Sequence, residues 1–161
     1  MLRTDRLRLE PMTAAEAADT VAGRRHPEWH PDYPRVDDVD AARSIRPDGG
    51  STRWGSRRIM RASDGLVVGT IGYFGPPAPA GDGVAETEVG YGLVAAARGA
   101  GLATEALRAL AGEADRAGVR LRASVGPDNA ASLRVLAKCG FTEVRGAAEG
   151  GEMVLARPVR A

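Results

Sequence analysis

A chain of 161 residues, 43% hydrophobic and 27% charged, has the length and composition of one globular domain with a closed core. Its formal net charge of +1 removes the electrostatic case for a dedicated nucleic-acid binder. The single cysteine, Cys139, rules out an intrachain disulfide framework and a CxxC metal pattern, and it reads as a small buried apolar residue late in a helix. Lys138 is the only lysine among 22 basic residues, and 21 acidic residues are interspersed with them, so the arginine content reads as coding bias.

The first twelve residues, "MLRTDRLRLEPM", alternate charge with leucine and hold no apolar stretch of signal-peptide length. No window approaches the roughly 20 apolar residues of a membrane span. A cytoplasmic protein with no membrane partner is expected. Leu7 and Leu9 alternate with Arg6, Arg8 and Glu10 as in a half-buried strand. Thr13 and Glu16 make a capping-box pair that opens a short helix ending at Gly23. "RRHPEWHPDYPRV", residues 24–36, carries three prolines and both histidines, so it is neither a regular helix nor a central strand. Asp37 or Asp38 then caps a second helix to Arg46, stopped by "PDGG".

Trp54–Ala62 and Leu66–Phe74 flank the turn "SDG" and read as a hairpin. Arg57, Arg58 and Arg61 on it are expected to form a solvated strand face, a phosphate contact being the second reading. "GPPAPAGDGVA" follows as a mobile connection within the domain. "ETEVGYGLV", Glu86–Val94, is a strand with two internal glycines, Gly90 and Gly92, which mark a bulge or a ligand lying on the backbone. A helix carrying Ala103, Ala106, Leu107, Leu110, Ala111 and Ala114 on one stripe runs to Gly118. "VRLRASV" is the next strand. Asn129–Lys138 is a helix with Leu133, Leu136 and Ala137 inward and Gly140 as its cap. Phe141–Arg145 and Met153–Arg157 read as a last strand pair. The resulting order, β-α-α-β-β-β-α-β-α-β-β, is an α/β chain of the α+β type with one strand–helix–strand crossover.

That crossover contains "VAAARGAGLATEALRAL", Val94–Leu110. Helix-initial N–H groups lack backbone partners, and the helix N-terminus carries partial positive charge. Small residues from Gly99 to Ala103 let a phosphate reach those donors, and Arg98 adds a permanent charge at the lip. The pattern is not a Walker loop, because no Gly-Lys-Ser/Thr follows, and Thr104 stands where a Rossmann fingerprint needs its third glycine.

Together with "DNAASLRVLAKCGF", Asp128–Phe141, this segment resembles motifs A and B of the GNAT acetyltransferase superfamily. The family's pyrophosphate pattern, Gln/Arg-x-x-Gly-x-Gly/Ala, matches Arg98, Gly101 and Ala103, and its later Asn and Gly-Phe match Asn129, Gly140 and Phe141. The opening "LRTDRLRLEPM", the "EVGYGLV" strand and "ATEALRAL" resemble the branch that includes ribosomal-protein N-terminal acetyltransferases. The likeness covers nearly the whole chain in the right order. It implies one GNAT domain over residues 1–161, with a mixed, mostly antiparallel sheet splayed open at the acetyl-CoA site and flanked by about four helices.

The resemblance also implies the chemistry: direct transfer of an acetyl group from acetyl-CoA to a primary amine, without a metal. Leu93, Val94, Arg98, Gly99, Ala100, Gly101, Leu102, Ala103, Thr104 and Asn129 are the expected cofactor-binding residues. Backbone donors near Leu93 would bind pantetheine amides, and one near Gly90 to Gly92 would polarise the thioester carbonyl. Thr104 and Asn129 also suit plain helix capping. Glu88, in the family's "E-hydrophobic-G-Y" pattern, is the favoured general base, and Glu86 on the same strand face is the other candidate; both also read as a solvated pair. The tyrosine that many members use to protonate the leaving thiolate is replaced by Leu136. Ser132, one turn earlier, or water then serves as donor, unless Ser132 only bonds its local backbone.

His26, Trp29, His30 and Tyr33 on the irregular segment are the expected acceptor-binding residues, the alternative being that Trp29 and Tyr33 anchor a proline-rich loop on the core. The acceptor is a small amine or a protein N-terminus, and a homodimer is an expectation from the superfamily. A noncatalytic acyl-CoA-binding or regulatory module on the same fold is the second function. An acetylase of aminoacyl-tRNA is a third, against which the near-neutral charge argues.

Overall fold

The computed structural model describes residues 1–48 and 53–161, among which are nine strands and four helices. β1 (Leu2–Arg3), β2 (Leu7–Pro11), α1 (Ala14–Ala22) and α2 (Val36–Arg43) come first. β3 (Ser56–Arg61), β4 (Val67–Tyr73), β5 (Ala78–Pro79) and β6 (Ala85–Leu93) lead into α3 (Leu102–Arg116). β7 (Arg120–Val125), α4 (Ala130–Lys138), β8 (Glu143–Ala147) and β9 (Met153–Arg157) follow.

The strands form one mixed sheet in the order β1-β2-β3-β4-β6-β7-β9-β8, with β5 beside β6. Only β6 and β7 run parallel, which is why a whole helix, α3, is needed to join them. Their pairing stops early. Glu86, Thr87 and Glu88 face Arg120, Leu121 and Arg122, and there the ladder ends. Beyond it Val89–Leu93 pairs with β4 on its other side, while Ala123–Val125 pairs with β9. The sheet therefore parts into a cleft with Glu88 at its apex.

Alternation along β4 assigns the two faces. The Tyr73 hydroxyl donates to the Leu110 carbonyl of α3 at 2.6 Å, while Thr70 donates to Asp38 of α2 at 2.6 Å. The main core, including Leu107, Leu110, Leu121 and Leu136, lies on the α3 side. A small cluster of Met12, Ala17 and Ala42 seats α1 and α2.

Local chemistry explains most helix ends. Thr13 and Glu16 form both halves of the expected capping box, and Gly23 closes α1 at φ +73°. α2 differs from expectation: it begins at Val36 and stops at Arg43. Arg35 occupies the cap position, and Asp38 accepts its backbone N–H at 2.8 Å from inside the first turn, so neither aspartate is the cap. Gly49 and Gly50 of the expected stop signal lie outside the described residues. In α4, Leu136 is buried as expected, but Ala137 is exposed and Val135 packs inward instead. The stripe through Ser132, Leu136 and Cys139 sets the inner face and turns Ala137 away.

Two other expectations are corrected by packing. Arg57 and Arg58 are not solvated; they retain 6% and 7% exposure. Arg58 lies among carboxylates from three segments, 2.9 Å from Glu10 and Glu16 and 3.8 Å from Glu28, while Arg57 lies against the Tyr73 ring. Residues 75–85 are not an open connection: β5 pairs with Ala85 and Glu86, and Ala80 donates to the Val84 carbonyl at 2.9 Å, closing a hairpin. The 24–36 segment is laced to the head of β4 by Val67 N–H to Glu28 (2.7 Å) and His30 N–H to Val67 (3.0 Å).

His26 ties this segment to α1, with Nε2 2.9 Å from Asp19 and its ring stacked on Trp29. The Asp19 hydrogen bond raises the His26 pKa above its ordinary 6.5, although desolvation opposes the shift. A raised folded-state value means that the contribution is complete below the unfolded pKa and is lost as pH rises through the folded one. The Tm difference between wild type and His26→Gln should therefore shrink as pH rises from the ordinary imidazole value of 6.5 through the raised folded one. A difference that is flat across that interval would mean the imidazole contributes by stacking alone.

Candidate active site

Gly99 and Gly101 hold φ of +83° and +81°, a left-handed backbone region that residues with a Cβ rarely adopt. Gly101 is the N-cap of α3 and offers no side-chain acceptor. Consequently the backbone N–H groups from Gly99 to Thr104 have no acceptor among the described residues. Arg98 donates through Nε to the Leu93 carbonyl at 3.0 Å, so the cradle is tied to the end of β6, and its two terminal nitrogens have no hydrogen-bond partner among the described residues. Asn129 caps α4 by accepting from the Ser132 N–H at 3.1 Å.

A clamp on this loop escapes any local reading of the sequence. Arg6 donates to the Ala100 carbonyl at 2.7 Å and to Glu105 at 2.7 Å, and Thr4 donates to Glu105 at 2.6 Å. Glu105 lies in the first turn of α3, where a free carboxylate would repel an incoming anion. Burial alone would raise its pKa, but hydrogen bonds from Thr4 and Arg6 hold it lowered and paired. A groove of about 700 Å³ adjoins the clamp, with Arg6, Arg108 and Lys138 among its walls. About a hundred residues separate the two halves of the clamp, and no sequence periodicity joins them.

The cleft-facing amides follow from ladder geometry. Val94 N–H bonds the Val68 carbonyl and Phe74 N–H bonds that of Glu88, so even-numbered residues of β6 direct their amides to β4. Gly90, Gly92 and Val94 are therefore occupied, which corrects the expectation for Val94. Tyr91 and Leu93 turn their N–H groups to the cleft. The two glycines serve close approach: a Cβ on Gly90 would strike the Phe74 ring, and one on Gly92 would strike the Arg35 guanidinium.

The two candidate carboxylates differ sharply. Glu86 is buried and bonded to Arg120 at 2.6 Å, Arg122 at 2.9 Å and Arg145 at 3.2 Å. Burial would raise its pKa, but the Arg120 and Arg122 hydrogen bonds outweigh that and keep it lowered. It is a structural anion and a poor base, which corrects its candidacy. Glu88, at the cleft apex, is half-buried, and among the described residues its carboxylate accepts one hydrogen bond, from Ser124 at 2.8 Å.

On the opposite face of the cleft, Ser132 Oγ lies 2.8 Å from the Tyr91 hydroxyl rather than on its own helix's carbonyls. Burial raises the Tyr91 pKa above 10.0, despite the hydrogen bond to Ser132, so the phenol holds its proton at neutral pH. Tyr91 stands out in the sequence only as part of the "E-hydrophobic-G-Y" pattern. Leu136 is buried and carries no donor.

The four expected acceptor residues are brought together, but two face inward. Trp29 and Tyr33 are 4% and 0% exposed and pack edge to face, anchoring the 24–36 segment on the core. His30 is mostly covered, with Nδ1 accepting from the Asp32 N–H at 3.1 Å. The face beside Glu88 is lined instead by Phe74, 70% exposed, and by a cavity of about 210 Å³ shared with Pro76, Pro79 and Arg122. No helix among the described residues is long and apolar enough to cross a membrane.

The family model for the acetyltransferase (GNAT) domain matches residues 6–142. A Bordetella pertussis protein assigned to the GnaT acetyltransferase family superposes with a TM-score of 0.67 at 25% identity, over 97% of this chain and 98% of that one. The microcin C7 self-immunity acetyltransferase, solved with acetyl-CoA and AMP, gives 0.66 at 19% identity over 97% and 94%. The ribosomal-protein-S5-alanine acetyltransferase of Vibrio fischeri gives 0.65 at 19% over 98% and 96%, and at that identity the likeness of both is one of fold. None of the curated proteins matches the sequence.

Proposed function

The chain belongs to the GNAT acetyltransferase family, and from that premise we propose that it transfers an acetyl group from acetyl-CoA to a primary amine by direct attack on the thioester. The observation that carries this reading is the run of unpartnered N–H groups from Gly99 to Thr104, clamped by Arg6 and Glu105 beside a split sheet. Acetyl-CoA supplies an activated acyl group and a thiol leaving group. The cradle and Arg98 bind its pyrophosphate, and the Leu93 and Tyr91 amides orient the arm and the thioester carbonyl in the cleft.

Glu88, at the apex, takes a proton from the acceptor's ammonium directly or through water, freeing the amine that attacks the thioester carbon, and Ser124 holds its carboxylate in place. As the C–S bond breaks, Ser132 gives its proton to the sulfur and takes one from Tyr91, and the second proton that the nitrogen loses as the amide forms returns through water to the phenolate. Calorimetry with acetyl-CoA and release of free thiol over an amine panel test the reading. Absence of acetyl-CoA binding would sink it, and binding without turnover of any amine would leave the noncatalytic module. Ser132→Ala and Tyr91→Phe should each lower kcat by roughly 10- to 100-fold with acetyl-CoA affinity unchanged. An unchanged kcat in both would assign the donor role to water.

A further inference from the structure

We propose that the acceptor carries a carboxylate close to its amine, as an α-amino acid does, and that Arg35 receives that carboxylate. The inference rests on the acetyl-transfer reading and deepens it. Arg35 is held along one edge: Nε and Nη2 bond Asp38 at 3.0 and 2.8 Å, and its backbone N–H bonds the same side chain at 2.8 Å. Asp38 is fully buried and takes a further hydrogen bond from Thr70. Nη1, in contrast, has no hydrogen-bond partner among the described residues; the nearest carboxylate oxygen, on exposed Asp37, is 4.0 Å away.

The position of this guanidinium matters as much as its rigidity. It lies so close over Gly92 that no Cβ could stand there, on the strand face shared with Glu88 and Gly90. The Tyr91 amide, the donor assigned to the reacting carbonyl, is one residue away. Glu88 and Gly92 are four residues apart, roughly 13 Å of strand. The Phe74 ring covers Gly90 between them, so the acceptor lies on the outer face of that ring, with its nitrogen toward Glu88 and its oxyanion on Arg35. A capping role alone does not account for Arg35, because the backbone N–H already completes the box with Asp38. The planar fork suits a carboxylate, and the neighbouring Asp38 charge favours a monoanion over a phosphate dianion.

The test measures thiol release at saturating acetyl-CoA for α-amino acids, each paired with its own carboxamide, and for short peptides with neutral N-terminal residues. The expected result is at least about 100-fold higher kcat/KM for an amino acid than for its amide. Arg35→Gln combined with Asp38→Asn, which leaves no unpaired buried charge, should erase that preference through KM while acetyl-CoA affinity stays constant. Amides accepted as well as acids, peptides preferred over both, or a preference that survives the double variant would overturn the proposal. So would a panel without any acetylated amino acid. Calorimetry separates the two failures: no acetyl-CoA binding by the wild type sinks the acetyl-transfer reading as well, whereas binding with the wrong acceptor profile sinks only the assignment of Arg35.

Discussion

Gly101→Asp is expected to lower acetyl-CoA affinity by about 100-fold, or roughly 2.7 kcal/mol, and to lower Tm by a few degrees, because a Cβ at φ +81° is strained. The substitution places a carboxylate at the N-cap of α3, against donors that would otherwise meet a pyrophosphate. Asp is a favoured N-cap residue and tolerates left-handed backbone better than most, so α3 should still form. The new Cβ would lie 3.4 Å from Arg6 Nη2, close enough for the carboxylate to pair with the clamp and occlude the cradle. Gly101→Asn separates charge from shape, and it should cost no more than about 10-fold. Calorimetry on the three proteins reads both effects, and an Asp variant that binds like wild type would place the pyrophosphate elsewhere.

Glu88→Gln should leave acetyl-CoA binding intact and lower kcat by roughly 100- to 1000-fold. The amide keeps the size of the side chain and its contact with Ser124 but cannot accept a proton from the amine. The residual rate should rise with pH, because more of the acceptor is then already neutral in solution. Ser124→Ala should give a smaller loss, since it removes only the group that orients Glu88. Thiol release across a pH series measures all three proteins. If Glu88→Gln turns over like wild type, deprotonation proceeds through solvent and the carboxylate at the apex is not the base.

Much of the cradle was legible because it is local. A glycine-bearing loop entering an amphipathic helix announces left-handed turns and free N–H groups within six residues, Arg98 to Ala103. Thr13 and Glu16 announced α1 for the same reason, as both halves of the box lie within one turn. The failures share a different character. Arg57 and Arg58 looked solvated because their partners, Tyr73 for one and Glu10, Glu16 and Glu28 for the other, sit on other elements. Glu86 and Glu88 are indistinguishable by spacing, yet one is locked by three arginines while the carboxylate of the other, among the described residues, accepts from Ser124 alone.

The sequence by itself therefore determined the order of the longer elements, the crossover and the glycine-bearing entrance to α3, all of which depend on backbone propensities within a few residues, whereas the two-residue strands β1 and β5 left no pattern to read. The tertiary structure alone decided which carboxylate is available, which amides face the cleft, and which side chains reach it. Those properties are set by strand register and by pairings between distant residues, as in Arg6 with Glu105, Tyr91 with Ser132, and Arg35 over Gly92. Burial and charge compensation arise only once those segments meet, and so they leave no local pattern to read.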